Sequence, residues 1–198
     1  SSSGSLGFRW SCWAARLLPM QAQALLNPWI GGPGTKGWPH QAAPVRRSDI
    51  AAKGWNVLRG DLPLPLAVIR QDALAGNLGW MQRFAQEQGV ELAPHGKTTM
   101  SPQLFDAQLR AGAWGITFAN VTQARLGLAS GVRRALIANQ VAAATDLDGI
   151  VEALLDHPGS RLLFLVDSLA QLELIEAWWH ARSDAPAESM RYGLGFWI

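Results

Sequence analysis

The side chains best suited to chemistry lie in the run APHGKTT at residues 93–99. Side chains alternate between the two faces of a strand, so His95 and Lys97 are predicted to share one face. If that face is the inside of a barrel, burial favours the neutral amine of Lys97, the form that attacks an aldehyde. Spacing alone leaves open that Lys97 is instead a solvated lysine at the rim of the barrel, beside a helix that starts at Ser101. It also leaves open that His95 is a buried core histidine whose ring forms a hydrogen bond with a neighbouring residue.

Other polar residues lie at or near the ends of predicted strands, where they could face a ligand. Thr117 and Gln140 are the candidates, and capping of the next helix is the alternative for each. Asp167 precedes Ser168 and is interpreted as a helix-cap or turn residue. These side chains matter because the carboxyl ends of parallel strands form the active face of α/β proteins.

Strands and helices alternate from residue 66 onwards, which indicates an α/β fold. A leading strand is predicted at Leu66–Ile69, and four further strands at 92–97, 114–120, 135–140 and 162–167. One helix is predicted from Asp72, as its cap, to about Gln88. Its apolar face would carry Leu74, Leu78, Met81, Phe84 and Ala85. Further helices are predicted at 101–111, 122–130, 145–156 and 168–181. This periodicity does not separate a barrel from a doubly wound sheet.

Composition excludes several classes of protein. Of the 198 residues 48% are hydrophobic and 16% charged, which favours a buried core over disorder. The basic residues are scattered and the net charge is only +2, so no nucleic-acid surface is expected. No apolar run approaches the ~18 residues of a membrane span. The single cysteine, Cys12, excludes an internal disulfide and fits a cytoplasmic location.

The lysine region resembles a known family over a longer stretch, LAPHGKTTMSPQLFDAQLRAGAWGITFANVTQA. It is similar to bacterial amino-acid deaminases related to D-serine dehydratase and D-threonine aldolase, of the alanine racemase N-terminal-domain group of fold-type III pyridoxal-phosphate enzymes. The resemblance covers roughly residues 49–172. Its specificity comes from the combination of His-x-Lys-Thr, Ser-Pro and Ala-Gly-Ala-Trp-Gly, because an isolated HGK is common.

The resemblance implies a pyridoxal-phosphate lyase that acts on a small D-amino acid. Lys97 would carry the cofactor as a Schiff base and act as acid and base at Cα, and His95, Thr117 and Gln140 would contact the cofactor. A D-serine-like substrate would be deaminated to a keto acid and ammonia. The alternatives are retro-aldol cleavage of the D-threonine aldolase type and a non-catalytic pyridoxal-phosphate-binding protein. A homodimer is expected for the full-length form.

The resemblance also implies about the first half of a TIM-type (β/α)8 barrel, with an irregular N-terminal arm. The expected divisions are an extension at 1–26, a Gly/Pro/Trp-rich arm at 27–65, the partial barrel at 66–188 and an aberrant tail at 189–198. A barrel needs eight strands. The chain is therefore expected to be C-terminally truncated and inactive alone, and to expose an open sheet edge. The divalent metal of full-length relatives would find no ligands in it.

Overall fold

The computed structural model describes residues 24–25, 27–181 and 194–197, so most of the predictions for 1–26 and 189–198 lie outside it. In the arm, β1 (Trp29–Ile30) pairs antiparallel with β2 (Val45–Arg46), and three short 3-10 helices follow at Arg47–Asp49, Ala51–Lys53 and Val57–Arg59. The remaining elements are α1 (Gln71–Glu87), α2 (Pro102–Ala111), β3 (Ile116–Phe118), α3 (Val121–Ala129), β4 (Arg134–Gln140), α4 (Ala144–Asp156), β5 (Arg161–Leu165), α5 (Leu169–Ala181) and β6 (Leu194–Trp197).

The central sheet is parallel, and its strands follow one another in space as they do in sequence. Its order is β3-β4-β5-β6. A parallel bridge between His95 and Thr117 adds the lysine-bearing run beside β3. A helix links each strand of the sheet to the next, as parallel pairing requires. All the carboxyl ends consequently meet at one edge, and the predicted mixed α/β architecture is confirmed.

The core lies between one face of the sheet and the helices packed on it. The strands contribute every second residue to this layer, and α2 contributes Phe105, whose ring meets that of Phe118 edge-on at 5.5 Å. Complete burial of each such ring stabilises the fold by about 1.5–3 kcal/mol. The buried strand residues are Ile116, Phe118, Ala135, Ile137, Leu162 and Phe164.

Helix α1 is packed less completely than its pattern predicted. Arg70, not Asp72, is its N-cap residue; Asp72 lies in the first turn and forms a salt bridge with Arg70. Ala85 is the buried residue of the helix, whereas Met81 and Phe84 remain 41% and 43% exposed. The predicted apolar face therefore exists, but no described element covers most of it.

One strand prediction was wrong, and one strand was not predicted. Leu66–Ile69 is not a strand, because no described segment runs beside it to supply a ladder of hydrogen bonds. In the predicted tail, Leu194–Trp197 forms β6 and pairs in parallel with β5, whose outer edge offers free backbone groups. The sheet thus gains a fifth extended segment beyond the four that the sequence indicated. None of the described helices has the length and apolar character needed to span a bilayer.

Candidate active site

Backbone hydrogen bonds hold the lysine-bearing run against β3. The amide of Thr117 donates to the carbonyl of Pro94, and the amide of Gly96 donates to the carbonyl of Thr117, both at 2.8 Å. His95 lies opposite Thr117, so their side chains leave the sheet on the same face. Gly96 faces the other way, where a Cβ atom would lie 2.6 Å from Phe105 and 2.7 Å from Ile116. The core layer therefore fixes the strand immediately before Lys97.

Lys97 lies just beyond the paired part of this run, in a turn and not in the strand that was predicted at 92–97. The amide of Met100 donates to the carbonyl of Gly96 at 2.9 Å, which closes the turn. Met100 has a φ of 44°, an uncommon value for a residue other than glycine. A backbone conformation of this kind persists only where the surrounding structure holds it in place, and such conformations cluster at functional sites.

The side chains of Lys97 and His95 are both exposed. Neither forms a side-chain hydrogen bond or ion pair with any residue that the structure describes. The amine of Lys97 is therefore not engaged by any described residue, and the His95 imidazole is its neighbour on the same edge of the sheet. The exposure of Lys97 matches the alternative of a solvated lysine at the rim, and not the burial that would favour its neutral amine. The exposure of His95 does not match the core-histidine alternative.

Thr117 is 2% exposed, and its hydroxyl donates a 2.6 Å hydrogen bond to the carbonyl of Ala93. The side chain thus ties β3 to the lysine-bearing run. Thr117 lies on the same face as His95, but its hydroxyl proton is already used within the protein.

Gln140 and Asp167 form a side-chain pair at the carboxyl ends of β4 and β5. The Gln140 amide donates to the Asp167 carboxylate at 2.5 Å, and both side chains are exposed. The cap of α5 is Ser168, whose hydroxyl accepts from the amide of Gln171 at 3.3 Å. Of the two interpretations of Asp167, helix cap or turn residue, the cap is wrong, because Ser168 takes that position; Asp167 lies at the carboxyl end of β5.

Sequence reasoning missed Gln171, which is 6% exposed and joins the ends of β4 and β5. Its amide donates to the carbonyls of Val141 at 3.1 Å and Leu165 at 3.0 Å, and its oxygen accepts from the Asp167 amide at 3.4 Å. A Ser-x-x-Gln spacing from Ser168 is a capping-box signal that could have found it.

The first turn of α3 is built in a similar way. The Asn120 side chain accepts from the amide of Gln123 at 3.0 Å, and the Gln123 side chain accepts from the amide of Ala119 at 2.9 Å. Asn139 adds a hydrogen bond to the carbonyl of Ala119 at 3.2 Å. Two strand-to-helix junctions at the candidate site are thus fixed by glutamines one turn inside the helix.

Other features of the described residues lie away from this edge or add nothing to it. A cleft of about 310 Å³ is found in the arm, between residues 32–40 and 63–65, and contains none of the strand-end residues. Among the residues that the structure describes, no three His, Cys, Asp or Glu side chains cluster as a metal site would. We therefore place the candidate site at the carboxyl edge of the sheet.

No family model matches the chain. It is 35% identical over 125 residues to D-threo-3-hydroxyaspartate dehydratase from Delftia sp. (strain HT23), a match that covers 63% of this chain and 32% of that enzyme. The solved structure of the same dehydratase has a TM-score of 0.55 at 34% identity, over 60% of this chain and 31% of that one. The solved structure of D-threonine aldolase from Filomicrobium marinum has a TM-score of 0.56 at 28% identity, over 61% of this chain and 32% of that one.

The chain spans about a third of the length of each of these relatives. One solved structure of the dehydratase is a metal-free form of a variant. These likenesses confirm the resemblance: the chain is homologous to D-threo-3-hydroxyaspartate dehydratase and D-threonine aldolase, which are alanine racemase-like, fold-type III pyridoxal-phosphate enzymes.

Proposed function

We propose that this chain is the lysine-bearing part of a pyridoxal-phosphate-dependent lyase that deaminates a D-serine-like amino acid to a keto acid and ammonia. The observation that carries the proposal is the uncommitted amine of Lys97 at the carboxyl edge of a parallel sheet, in a stretch homologous to two enzymes that act on D-amino acids. A small-molecule D-amino acid is thus the proposed partner, in the cytoplasm.

The residues present fit a covalently held cofactor. Attachment needs a lysine whose amine is accessible and makes no ion pair, and Lys97 meets both conditions among the described residues. Lys97 would hold pyridoxal phosphate, with His95 beside it and Gln140 along the same edge. Thr117 would support the site through its bond to Ala93. The cofactor, when bound, takes up the electron pair released at the α-carbon of the amino acid.

The part of the chemistry that belongs to the chain is proton transfer. An amine next to the α-carbon can remove and return a proton there, provided that it is held within hydrogen-bond reach. The turn closed between Gly96 and Met100 keeps the backbone of Lys97 in place for this. The neighbouring His95 imidazole is another group at this edge that can accept or donate a proton.

We further propose that residues 66–188 form about the first half of a (β/α)8 barrel. The sequential strand order supports this, because a doubly wound sheet reverses its order at a switch point and the described sheet does not. The lysine-bearing run would then be the first barrel strand. The face that carries His95 and Thr117 would be the barrel interior.

The sequence identity to the dehydratase is higher than that to the aldolase, which favours dehydration over aldol cleavage. The dehydratase is 35% identical in sequence and 34% in the structural match, against 28% for the aldolase. The TM-scores of 0.55 and 0.56 do not separate the two enzymes. D-Threonine aldolase activity remains the second candidate because its fold matches equally well.

Borohydride trapping tests the proposal directly. The chain contains only three lysines, Lys36, Lys53 and Lys97, so each can be replaced by alanine in turn. After incubation with pyridoxal phosphate and reduction, mass spectrometry should find the adduct on Lys97. Lys36→Ala and Lys53→Ala should keep the adduct, and Lys97→Ala should lose it. An adduct shared equally among the lysines would overturn the proposal.

Product analysis then separates the reactions. Keto acid and ammonia from D-serine indicate the dehydratase, and aldehyde and glycine from D-threonine indicate the aldolase. L-Serine is the control for handedness at the α-carbon. An adduct on Lys97 with no turnover of either D-amino acid would show that this chain alone binds the cofactor without catalysis.

A further inference from the structure

We propose that the arm contains a second binding site, a cleft that takes a small aromatic carboxylate. The cleft has a volume of about 310 Å³ and lies between residues 32–40 and 63–65. No residue of the carboxyl edge that carries Lys97 lines it. Its chemistry is therefore separate from the proposed reaction, and either can hold if the other fails.

Rigid apolar side chains form most of the cleft. Proline rings have no freely rotating side-chain bonds, so they lose almost no conformational entropy when a ligand packs on them. Proline rings and aromatic rings are complementary surfaces, as in the domains that bind proline-rich peptides. An apolar cavity of about 150 Å³ holds a benzene ring, so this cleft has room for one ring and a short chain attached to it. The apolar lining residues are Pro33, Trp38, Pro39, Pro63, Leu64 and Pro65.

The longer wall of the cleft is held in shape by contacts within the arm. Trp38 is 8% exposed, its indole N–H donates to the carbonyl of Ala42 at 3.0 Å, and its ring meets that of Trp55 edge-on at 5.1 Å. The amides of Thr35 and Trp38 donate to the carbonyls of Gly32 and Thr35 at 3.0 and 3.2 Å. The cleft is thus formed before a ligand enters it, which lowers the entropic cost of binding.

Two basic side chains, Lys36 and His40, also line the cleft, together with Thr35. The lining residues in the described part of the chain include no aspartate or glutamate, and the carboxylate of Asp61, which is near in sequence, is paired with Arg59. Neither Lys36 nor His40 forms a side-chain hydrogen bond or ion pair with a described residue. A carboxylate on the ligand would supply the counter-ion for the ammonium group of Lys36.

The apolar walls and the positive charge together define the ligand. An inorganic anion would leave the walls in contact with water, and an uncharged aromatic molecule would leave Lys36 without a counter-ion. A molecule that carries both a ring and a carboxylate uses both features. Ring and charge should therefore contribute separately to the affinity.

Calorimetric titration of the full chain with 3-phenylpropionate tests the inference. We expect a dissociation constant on the order of 1 mM, as for a ligand of this size. Propionate, which lacks the ring, and 3-phenyl-1-propanol, which lacks the charge, should each bind at least about threefold more weakly. Lys36→Gln should weaken 3-phenylpropionate by about threefold and leave 3-phenyl-1-propanol unchanged. Lys53→Gln, an exposed lysine of the arm outside the cleft, is the matched control and should change neither.

A second pair of variants tests the apolar wall. Leu64 is 77% exposed and lines the cleft, whereas Leu58 is 96% exposed and does not, so neither side chain is needed for folding. Leu64→Ala should weaken 3-phenylpropionate by about threefold, and Leu58→Ala should not. The NMR signals of the Leu64 methyl groups should shift on titration. No binding, equal binding of all three compounds, or the same change in Lys36→Gln and Lys53→Gln would overturn the inference.

Discussion

The hydroxyl of Thr117 and the carbonyl of Ala93 lie 2.6 Å apart, in a hydrogen bond that crosses from β3 to the lysine-bearing run. Thr117 also exchanges two backbone hydrogen bonds with that run, one with Pro94 and one with Gly96. A single residue therefore makes three of the bonds that locate the backbone leading to Lys97. The position of the Lys97 backbone consequently depends on the integrity of β3.

Thr117→Val should weaken this link while keeping the shape of the side chain. The Ala93 carbonyl would lose its hydroxyl partner, and we expect a loss of about 1 kcal/mol in the free energy of unfolding. Urea denaturation of both proteins measures the difference. Thr122→Val, at an exposed position of α3, is the control and should show a smaller change. Equal effects at the two positions would contradict a structural role for the Thr117 hydroxyl.

Gly96→Ala should disturb the lysine turn from the core side. The added Cβ would meet Phe105 at 2.6 Å and Ile116 at 2.7 Å, so we expect destabilisation by about 1–3 kcal/mol through overpacking. The borohydride adduct on Lys97 should also form more slowly. Gly76→Ala, in α1 with no atom within 4 Å of the added group, should instead stabilise the protein by about 0.5–1 kcal/mol. Thermal unfolding of the two variants shows whether each substitution lowers or raises the stability of the protein.

Gln171→Leu should leave the carbonyls of Val141 and Leu165 without their side-chain donor. Each buried carbonyl left unsatisfied costs about 1–3 kcal/mol, so this substitution should be among the more destabilising ones in α5. Gln86→Leu, on the exposed surface of α1, should stay within about 0.5 kcal/mol. Hydrogen exchange of the Asp167 amide should rise in Gln171→Leu only. Unchanged exchange would argue against the hydrogen bond from the Asp167 amide to Gln171.

The arm offers a prediction about pH. The pKa of the Asp61 carboxyl is lowered, first by its hydrogen bonds from Arg59 and then by the backbone amide of Asn56. A lowered folded-state pKa means that the contribution of Asp61 to local stability is present above the unfolded pKa and is lost as pH falls through the folded pKa. Carboxyl chemical shifts in an NMR titration should show this pKa below the ordinary aspartate value. Arg59→Gln should raise it, and Lys53→Gln should not.

The sequence by itself determined the elements that local chemistry specifies. The Ser101-Pro102 start and the Gly112 end of α2 were predicted from capping rules, because the groups that begin and end a helix are neighbours in the chain. Alternation of apolar runs likewise predicted the α/β fold, and the motif around Lys97 indicated which enzymes the chain is related to. The leading strand at Leu66–Ile69 failed because an apolar run becomes a strand only where a partner exists.

Only the tertiary structure decided how distant residues meet. Nothing near Asp167 in sequence specifies that Gln140, on the neighbouring strand, donates to it, nor that a buried Gln171 fixes its backbone. Likewise, the hydroxyl of Thr117 finds Ala93 because parallel pairing sets their register across a whole helix and turn. Such contacts depend on long-range strand register and on packing of the core layer. Residue types and local spacing therefore pointed to Lys97 as the candidate, and the fold decided which side chains share its edge of the sheet.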